Sequence, residues 1–232
     1  MSDYETLQKL AYGLIAVMLL FHFSSSLIIY EQKIYGEDGS GLELSYRLND
    51  FEGDGDGEVI EEKYSFIRFD HLGDVMQNLS NLSLLTVFLA AFFAWKMKEV
   101  IEGSDDLEIV RKVGFAVSAL AIFSTIYSVY AIPNALEEEW EEGLFNEKYE
   151  GSFDYDGKFI GESEETMLGD LDGDGDVTVE SGPETGWYVL VLGAILGVII
   201  YLRVKNLENL GPSRKLPEIP TEFPQYDNED RP

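Results

Sequence analysis

A long run without Asp, Glu, Lys or Arg lies near the beginning of the chain and reads LAYGLIAVMLLFHFSSSLIIY over residues 10–30. An α-helix rises about 1.5 Å per residue, so a helix of this length crosses a hydrocarbon core of about 30 Å. Similar apolar runs occur at residues 79–97, 113–132 and 187–203. Because backbone N–H and C=O groups cannot stay unpaired in lipid, each run is expected to be a helix. The sequence therefore predicts an integral membrane protein with four transmembrane helices.

The first run is expected to be a retained span and not a cleaved signal peptide. In the segment before it, Asp3 and Glu5 offset the positive charge of Lys9. A signal peptide has a positively charged leader, a shorter apolar core and a small-residue cleavage site, and this run has none of these.

The positions of Lys and Arg predict the orientation of the helices, because short cytoplasmic segments of membrane proteins are rich in these residues. The N-terminal tail 1–9, the link 98–112 and the C-terminal tail 204–232 are therefore predicted to be cytoplasmic. The basic residues in or beside them are Lys9, Lys96, Lys98, Arg111, Lys112, Arg203, Lys205, Arg214 and Lys215. The segments 31–78 and 133–186 are then predicted to lie outside the cell membrane.

The acidic residues are concentrated in these two outer segments. The chain has a net charge of -28, and the outer segments hold 31 of its 44 acidic residues but only six of its 16 basic residues. Such a surface gathers cations and repels anionic polymers, so nucleic acid is not an expected partner. Two interpretations stay open: a solubilising surface suited to a prokaryote of saline habitat, and a specific cation-binding surface.

The outer segments are predicted to form a small β-rich cap. The chain has no cysteine, so disulfides cannot hold them together. Residues 42–48 and 64–69 alternate between apolar and polar, as strands do, and residues 148–160 do so more weakly. Each segment alone is of marginal size for a domain, and the two together could share one core. The predicted fold class is an all-α membrane protein, a four-helix transmembrane bundle with a small β-rich acidic extracytoplasmic cap.

The strongest chemical motif is an aspartate-rich stretch in the second outer segment, DLDGDGDVTVE at residues 170–180. Carboxylates at alternate positions converge when a glycine turns the chain, and so many oxygen ligands suit Ca²⁺ better than a transition metal. The stretch resembles the calcium loop of EF-hand and dockerin modules. The resemblance implies ligands at or near Asp170, Asp172, Asp174, Asp176, Thr178 and Glu180, with Gly175 as the turn glycine. Ser181 stands where the family has its last, bidentate acid.

A second and less complete copy lies in the first outer segment, EGDGDGEV at residues 52–59. Its candidate Ca²⁺ ligands are Glu52, Asp54, Asp56 and Glu58, and Lys63 occupies the final ligand position. The alternative is that both stretches are polar turns, which Asp and Gly favour for backbone reasons.

The predicted helices offer few polar features that indicate chemistry. Transporters and proton relays usually need ionisable residues near the membrane midplane. His22 is expected to make an interhelical hydrogen bond, and a haem site formed with His71 is the alternative. Gly193 and Gly197 predict close helix contacts, within the chain or with another subunit. The glutamate-rich residues 137–142 are interpreted as a solvated extension of the third helix.

Four spans with two unequal outer segments resemble tetraspanins and claudins in layout alone, since the cysteines of those families are absent. We expect a non-enzymatic membrane scaffold or accessory subunit, whose cap is ordered by Ca²⁺ and contacts a protein partner or a second copy of the chain. The alternative is a cation channel or transporter component that uses the acidic segments to concentrate cations. An enzyme is not expected, because the chain has no nucleophile elbow, zinc-protease motif or Gly-rich phosphate loop.

Overall fold

The computed structural model describes residues 3–36, 41–55, 58–64, 70–103, 107–141, 151–153, 158–169 and 175–209. The helices in these ranges are α1 (Asp3–Phe23), α2 (Asp70–Ile101), α3 (Leu107–Glu141) and α4 (Thr185–Asn209). The strands are β1 (Ile28–Gly36), β2 (Gly41–Arg47), β3 (Asp50–Gly55), β4 (Glu58–Lys63), β5 (Gly151–Phe153), β6 (Gly161–Gly169) and β7 (Gly175–Pro183). Strands β1 to β4 follow α1, and β5 to β7 follow α3.

The four helices form a bundle in which each helix packs against the next one in the chain and α1 also packs against α4. Small residues allow the close approach. A Cβ atom added to Gly193 of α4 would overlap Met18 of α1, and one added to Gly197 would lie 3.1 Å from the Ala121 Cβ of α3. The close contacts predicted at these two glycines are thus confirmed, and both are made within this chain.

Three of the helices are long and apolar enough to cross a membrane: α1 (Asp3–Phe23), the Leu107–Glu139 part of α3 and the Thr185–Leu207 part of α4. The sequence predicts four, so the structure corrects the count to three. The predicted span that is not among these three is α2, whose first half is rich in polar residues. They are Asp70, His71, Asp74, Gln77, Asn78, Ser80, Asn81 and Ser83.

The first apolar run is divided between a helix and a strand. The predicted helix over residues 10–30 is wrong at both ends, because α1 already includes Asp3 and ends at Phe23, and β1 begins at Ile28. Residues 24–26 are three serines, whose hydroxyls compete with the helical backbone and favour turns. The following Ile-Ile-Tyr sequence has the β-branched and aromatic side chains that favour strands.

The cap contains a small antiparallel sheet with the strand order β4-β3-β2-β1-β7-β6-β5. Strand β1 pairs with β2 from the first outer segment and with β7 from the second. The expectation of one shared cap is therefore confirmed. The strand predicted at 42–48 is β2, whereas Tyr64 lies in a turn and residues 65–69 are outside the described part of the chain.

The sheet has one end near the helices and one end away from them, here called the helix end and the distal edge. Strand β1 starts at the helix end shortly after α1, and β7 finishes there immediately before α4. Their register pairs Tyr30 with Pro183 at the helix end and Gly36 with Val177 at the other. Strands β3 and β6 therefore end at the distal edge, where β4 and β7 begin.

Candidate functional site

One face of the sheet, here called the acidic face, carries charged side chains from neighbouring strands. Register places Glu162, Glu180, Lys33, Glu43 and Asp54 side by side on β6, β7, β1, β2 and β3. Residues that are two apart on a strand share a face, which adds Glu31 and Glu52 to this set. The opposite face of the same strands carries the buried residues Ile34, Leu44 and Val179. The face therefore combines six carboxylates with Lys33, and Arg47 contacts one of them, Glu52, at the end near the helices.

Near the middle of the acidic face, Lys33 lies between two carboxylates. Its Nζ is 3.4 Å from Glu31 Oε2 and 3.7 Å from Glu43 Oε2. These carboxylates raise the pKa of Lys33. Burial and the nearby Glu43 nevertheless raise the pKa of Glu31, because together they outweigh the attraction of Lys33. The two glutamates therefore hold more negative charge than one lysine compensates.

A second charged cluster lies at the helix end of the sheet, around Arg47. Its guanidinium contacts Glu52, and Nη1 lies 3.5 Å from Asp50 Oδ1. Burial acts to lower the pKa of Arg47, but Glu52 and Asp50 outweigh it and raise that pKa. The Tyr64 hydroxyl donates a hydrogen bond of 2.6 Å to the Arg47 carbonyl, and burial followed by Asp50 raises the pKa of Tyr64 well above its usual value. Here too one basic side chain lies beside two carboxylates, but Arg47 is more buried than Lys33.

The first-segment candidate calcium ligands are divided between two strands and residues that the structure does not describe, so this set also stays a prediction. Glu52 and Asp54 lie on β3, and Glu58 lies on β4, while Asp56 is outside the described residues. Alternate residues of an extended strand are about 6.6 Å apart, so the Glu52 and Asp54 side chains lie side by side on one face of the sheet. Arg47 also contacts the Glu52 carboxylate. Glu52 therefore serves an ion pair within the protein.

The second-segment ligands are divided between a strand and residues that the structure does not describe. Asp170, Asp172 and Asp174 are outside the described part of the chain, and Asp176, Thr178 and Glu180 lie on β7. Within the described ranges, no group of three or more Asp, Glu, His or Cys side chains is arranged to hold a metal ion. Calcium binding by this segment therefore stays a prediction.

Topology brings the strand ends that flank the two aspartate-rich stretches to the same edge of the sheet. Residues 56–57 follow β3 in sequence and residues 170–174 follow β6, and both lie outside the described part of the chain. The strand ends on either side of them lie at the distal edge. The end of β1 and the start of β2 also lie at this edge. The sequence alone does not indicate this grouping, because the strands are far apart in the chain and the pairing of β1 with β7 brings them into one sheet.

Within the bundle, several polar side chains form hydrogen bonds with neighbouring helices or with the backbone of their own helix. The His22 Nδ1 of α1 lies 3.2 Å from Ser80 Oγ and 3.4 Å from Ser83 Oγ of α2. The interhelical hydrogen bond predicted for His22 is therefore confirmed. Five hydroxyls donate to carbonyls three or four residues earlier in their own helices, and they belong to Ser83, Thr86, Ser118, Ser124 and Ser128.

The glutamate-rich end of α3 contains a buried contact that the sequence did not indicate. The Glu139 side chain is 1 % exposed, and its Oε1 accepts hydrogen bonds from the backbone N–H groups of His71 at 2.6 Å and Leu72 at 3.1 Å. These are first-turn donors of α2, which have no partner within their own helix. The exposed Glu138 lies 3.0 Å from His71 Nδ1. The helical extension is thus confirmed, but its interpretation as solvated is wrong for Glu139.

Glu139 and the start of α2 together fix the end of the bundle that is next to the sheet, where a carboxylate meets the positive end of the α2 dipole. The acidic face, in contrast, retains uncompensated carboxylates that can attract cations or cationic groups. No protein-family model and no curated protein matches the chain.

Proposed function

We propose that the protein is an integral membrane scaffold or accessory subunit, whose acidic extracytoplasmic cap contacts protein partners and is ordered by Ca²⁺. The membrane part of this proposal is supported by large apolar side chains that point away from the bundle core on all four helices. In water such a continuous apolar surface would drive association, whereas in lipid it is solvated. These side chains are Tyr12, Leu20, Leu85, Phe88, Phe92, Trp95, Phe123, Ile126, Tyr130, Tyr188, Leu192, Ile195 and Leu202.

Three helices are apolar enough to span a membrane by composition alone, and the chain topology bears on the path of α2 beside them. Strands from both outer segments share one sheet, so the chain leaves and re-enters the bundle at the same end. If α3 crosses the bilayer toward that end, α2 must first cross in the opposite direction. Its apolar half also exposes Leu85, Phe88, Phe92 and Trp95. The polar side chains Ser80 and Ser83 instead contact His22 of α1.

Packing of the bundle interior favours a scaffold over a transporter. The layer where α3 and α4 meet is filled by close contacts, and the Thr125 hydroxyl donates to the Leu190 carbonyl across it at 3.1 Å. The buried residues described in the helices include one charged side chain, Glu139, and it caps α2. A transport pathway within one chain would need ionisable groups or broken helices near the midplane. We therefore assign the protein a structural function.

The observation that carries the proposed role of the cap is the joining of both outer segments in one sheet with an uncompensated acidic face. At the distal edge, both aspartate-rich connections would add further carboxylates, whose mutual repulsion a divalent cation would relieve. Extracellular calcium modules commonly bind at about 10⁻⁴ to 10⁻³ M. A cation channel or transporter component is the second candidate, because the same acidic face would raise the local cation concentration above a pore built from several copies.

Limited proteolysis of sealed, right-side-out vesicles tests the proposal. Protease is expected to cut within 31–78 or 133–186 and to spare the tail 204–232. Millimolar Ca²⁺ is expected to slow cutting of the outer segments more than Mg²⁺ or NaCl of equal ionic strength, through stabilisation by RT ln(1 + [L]/Kd).

The double variant D170N/D174N should lose the Ca²⁺ effect, and D227N/D230N, with the same charge change in the tail, should retain it. The proposed role of Ca²⁺ would be contradicted if Ca²⁺, Mg²⁺ and NaCl slowed cutting equally and did so to the same extent in both variants. Cutting of the tail alone would contradict the orientation. Cation flux through proteoliposomes of the purified chain would favour the channel candidate.

A further inference from the structure

A short segment before β6, residues 158–160, lies at the helix end of the sheet and is held there by aromatic contacts. The Tyr30 hydroxyl donates a hydrogen bond of 2.7 Å to the Lys158 carbonyl. The Phe159 ring lies with its centroid 5.4 Å from that of Tyr30 and 5.5 Å from that of Trp187. The segment is followed by Gly161, whose φ of +142° is a backbone conformation that favours glycine. The segment is therefore fixed to the cap and to α4 at once.

Trp187 sets the level of this segment relative to the helices. It belongs to the first turn of α4, and its Nε1 donates a hydrogen bond of 3.1 Å to Ser128 Oγ on α3. The adjacent Tyr188 is exposed. Trp and Tyr side chains concentrate where lipid meets water, because their rings are apolar and carry one polar group. The segment 158–160 thus lies at the level where α4 would leave the hydrocarbon.

At this level the segment presents one apolar and one cationic side chain to the surroundings. Ile160 is 67 % exposed, and Lys158 is also exposed. No ion pair involves Lys158 among the residues that the structure describes, although Lys33 and Arg47 are each close to two carboxylates. An exposed isoleucine beside an exposed lysine is the combination that interfacial anchors use, with the apolar group below the phosphates and the ammonium group among them.

We infer that residues 158–160 form a lipid contact site of the cap, in which Ile160 enters the bilayer interface and the Lys158 ammonium binds a phospholipid headgroup phosphate. The contact holds the sheet against the membrane, on the side where β6 and β7 continue into α4. This inference rests on the proposed membrane location of the helices.

Single-cysteine labelling tests the site, since the chain has no native cysteine. A nitroxide is attached at I160C, at I195C on the exposed surface of α4, or at Y35C near the distal edge, and the protein is reconstituted in phosphatidylcholine–phosphatidylglycerol vesicles. Ile195 lies eight residues beyond Trp187, which is about 12 Å along the helix. The depth of each label is measured from its collisions with oxygen and with a water-soluble nickel chelate. Position 195 is expected in hydrocarbon, 35 in water and 160 between them.

A label at 160 that is as accessible to nickel as the label at 35 would overturn the inference and leave the membrane proposal intact, provided that 195 stays in hydrocarbon. A label at 195 that is in water would instead overturn the proposed membrane location itself.

Lys158 is tested by K158Q with the label kept at 160. Loss of one lysine near a phospholipid surface is expected to shift the equilibrium between inserted and water-exposed positions roughly fivefold toward water. The Lys158 carbonyl and its hydrogen bond with Tyr30 survive this substitution. K33Q removes the same charge from the cap at a lysine that carboxylates already hold, and it is expected to leave the depth unchanged. An unchanged depth in K158Q, or an equal shift in K33Q, would overturn the headgroup contact.

Discussion

Replacing Glu139 should destabilise the protein far more than replacing its neighbour Glu138. Glu139 is buried and accepts hydrogen bonds from the backbone N–H groups of His71 and Leu72. Its substitution by Ala leaves both donors without this acceptor at the start of α2. Glu138 differs because its side chain is 60 % exposed and its contact is the partly exposed imidazole of His71. The two glutamates are adjacent in sequence, so they form a matched pair of sites.

The expected magnitudes follow from burial. A hydrogen bond to a charged group contributes about 1.5–3 kcal/mol, and a carboxylate at a helix N-terminus adds about 0.3–1 kcal/mol. Water can reach the His71 amide more easily than the buried Leu72 amide, so E139A is expected to lose about 2–4 kcal/mol in total. An exposed ion pair contributes about 0–1 kcal/mol, which bounds the effect of E138A. E139Q keeps an acceptor oxygen without the charge, so its loss of stability should fall between those of E138A and E139A.

Thermal unfolding in a mild detergent, followed by circular dichroism, measures these differences. For a chain of this size, 1 kcal/mol corresponds to roughly 2–4 °C in Tm. The Tm of E139A is therefore expected to fall by roughly 4–16 °C and that of E138A by less than about 4 °C. Equal losses for the two variants would refute the capping role of Glu139, as would E139Q behaving like E139A.

Two further predictions concern the bundle and the acidic face. The leucine in G193L must displace Met18, so this variant is expected to lower the Tm by the equivalent of about 1–3 kcal/mol. The control G182L on β7 should change the Tm little, because the space beside that glycine is open. Equal Tm changes in the two variants would mean that the contact between Gly193 and α1 is loose. Because the pKa of Glu31 is raised in the folded state by burial and Glu43, its contribution to stability is present at low pH and is lost as pH rises through that raised pKa. E31Q removes this loss, so its Tm relative to the native protein should increase between about pH 4 and pH 7; a constant difference across this range would contradict the raised pKa.

The helices and the cap could be predicted from sequence because both depend on local patterns. Apolar runs without charge indicate helices, and the alternating residues 42–48 form β2 as expected. Boundaries were harder, since hydropathy does not distinguish a helix from a strand in the stretch from Phe23 to Tyr30. The serines at 24–26 gave the one local signal that the run changes structure there.

The buried role of Glu139 and the grouping of the aspartate-rich connections could not be predicted from one sequence. Glu139 stands among other glutamates, and nothing local distinguishes the one that turns toward α2. Its partner amides at His71 and Leu72 are distant in the chain. The grouping likewise depends on the pairing of β1 with β7, which joins segments separated by α2 and α3. A helical spacing argument placed Gly193 and Gly197 at contacts but could not tell which neighbours they meet.

The spacing of charges on the acidic face decides how its two interpretations can be separated. Neighbouring strands are about 4.8 Å apart, which is shorter than the screening length of about 8 Å at physiological salt. Glu162 and Glu180 on adjacent strands therefore repel each other even in saline medium, and Lys33 cannot serve both Glu31 and Glu43 fully. A purely solubilising face would gain stability gradually with any added salt. A face that holds a divalent ion would gain it at millimolar Ca²⁺, where the change in screening is negligible.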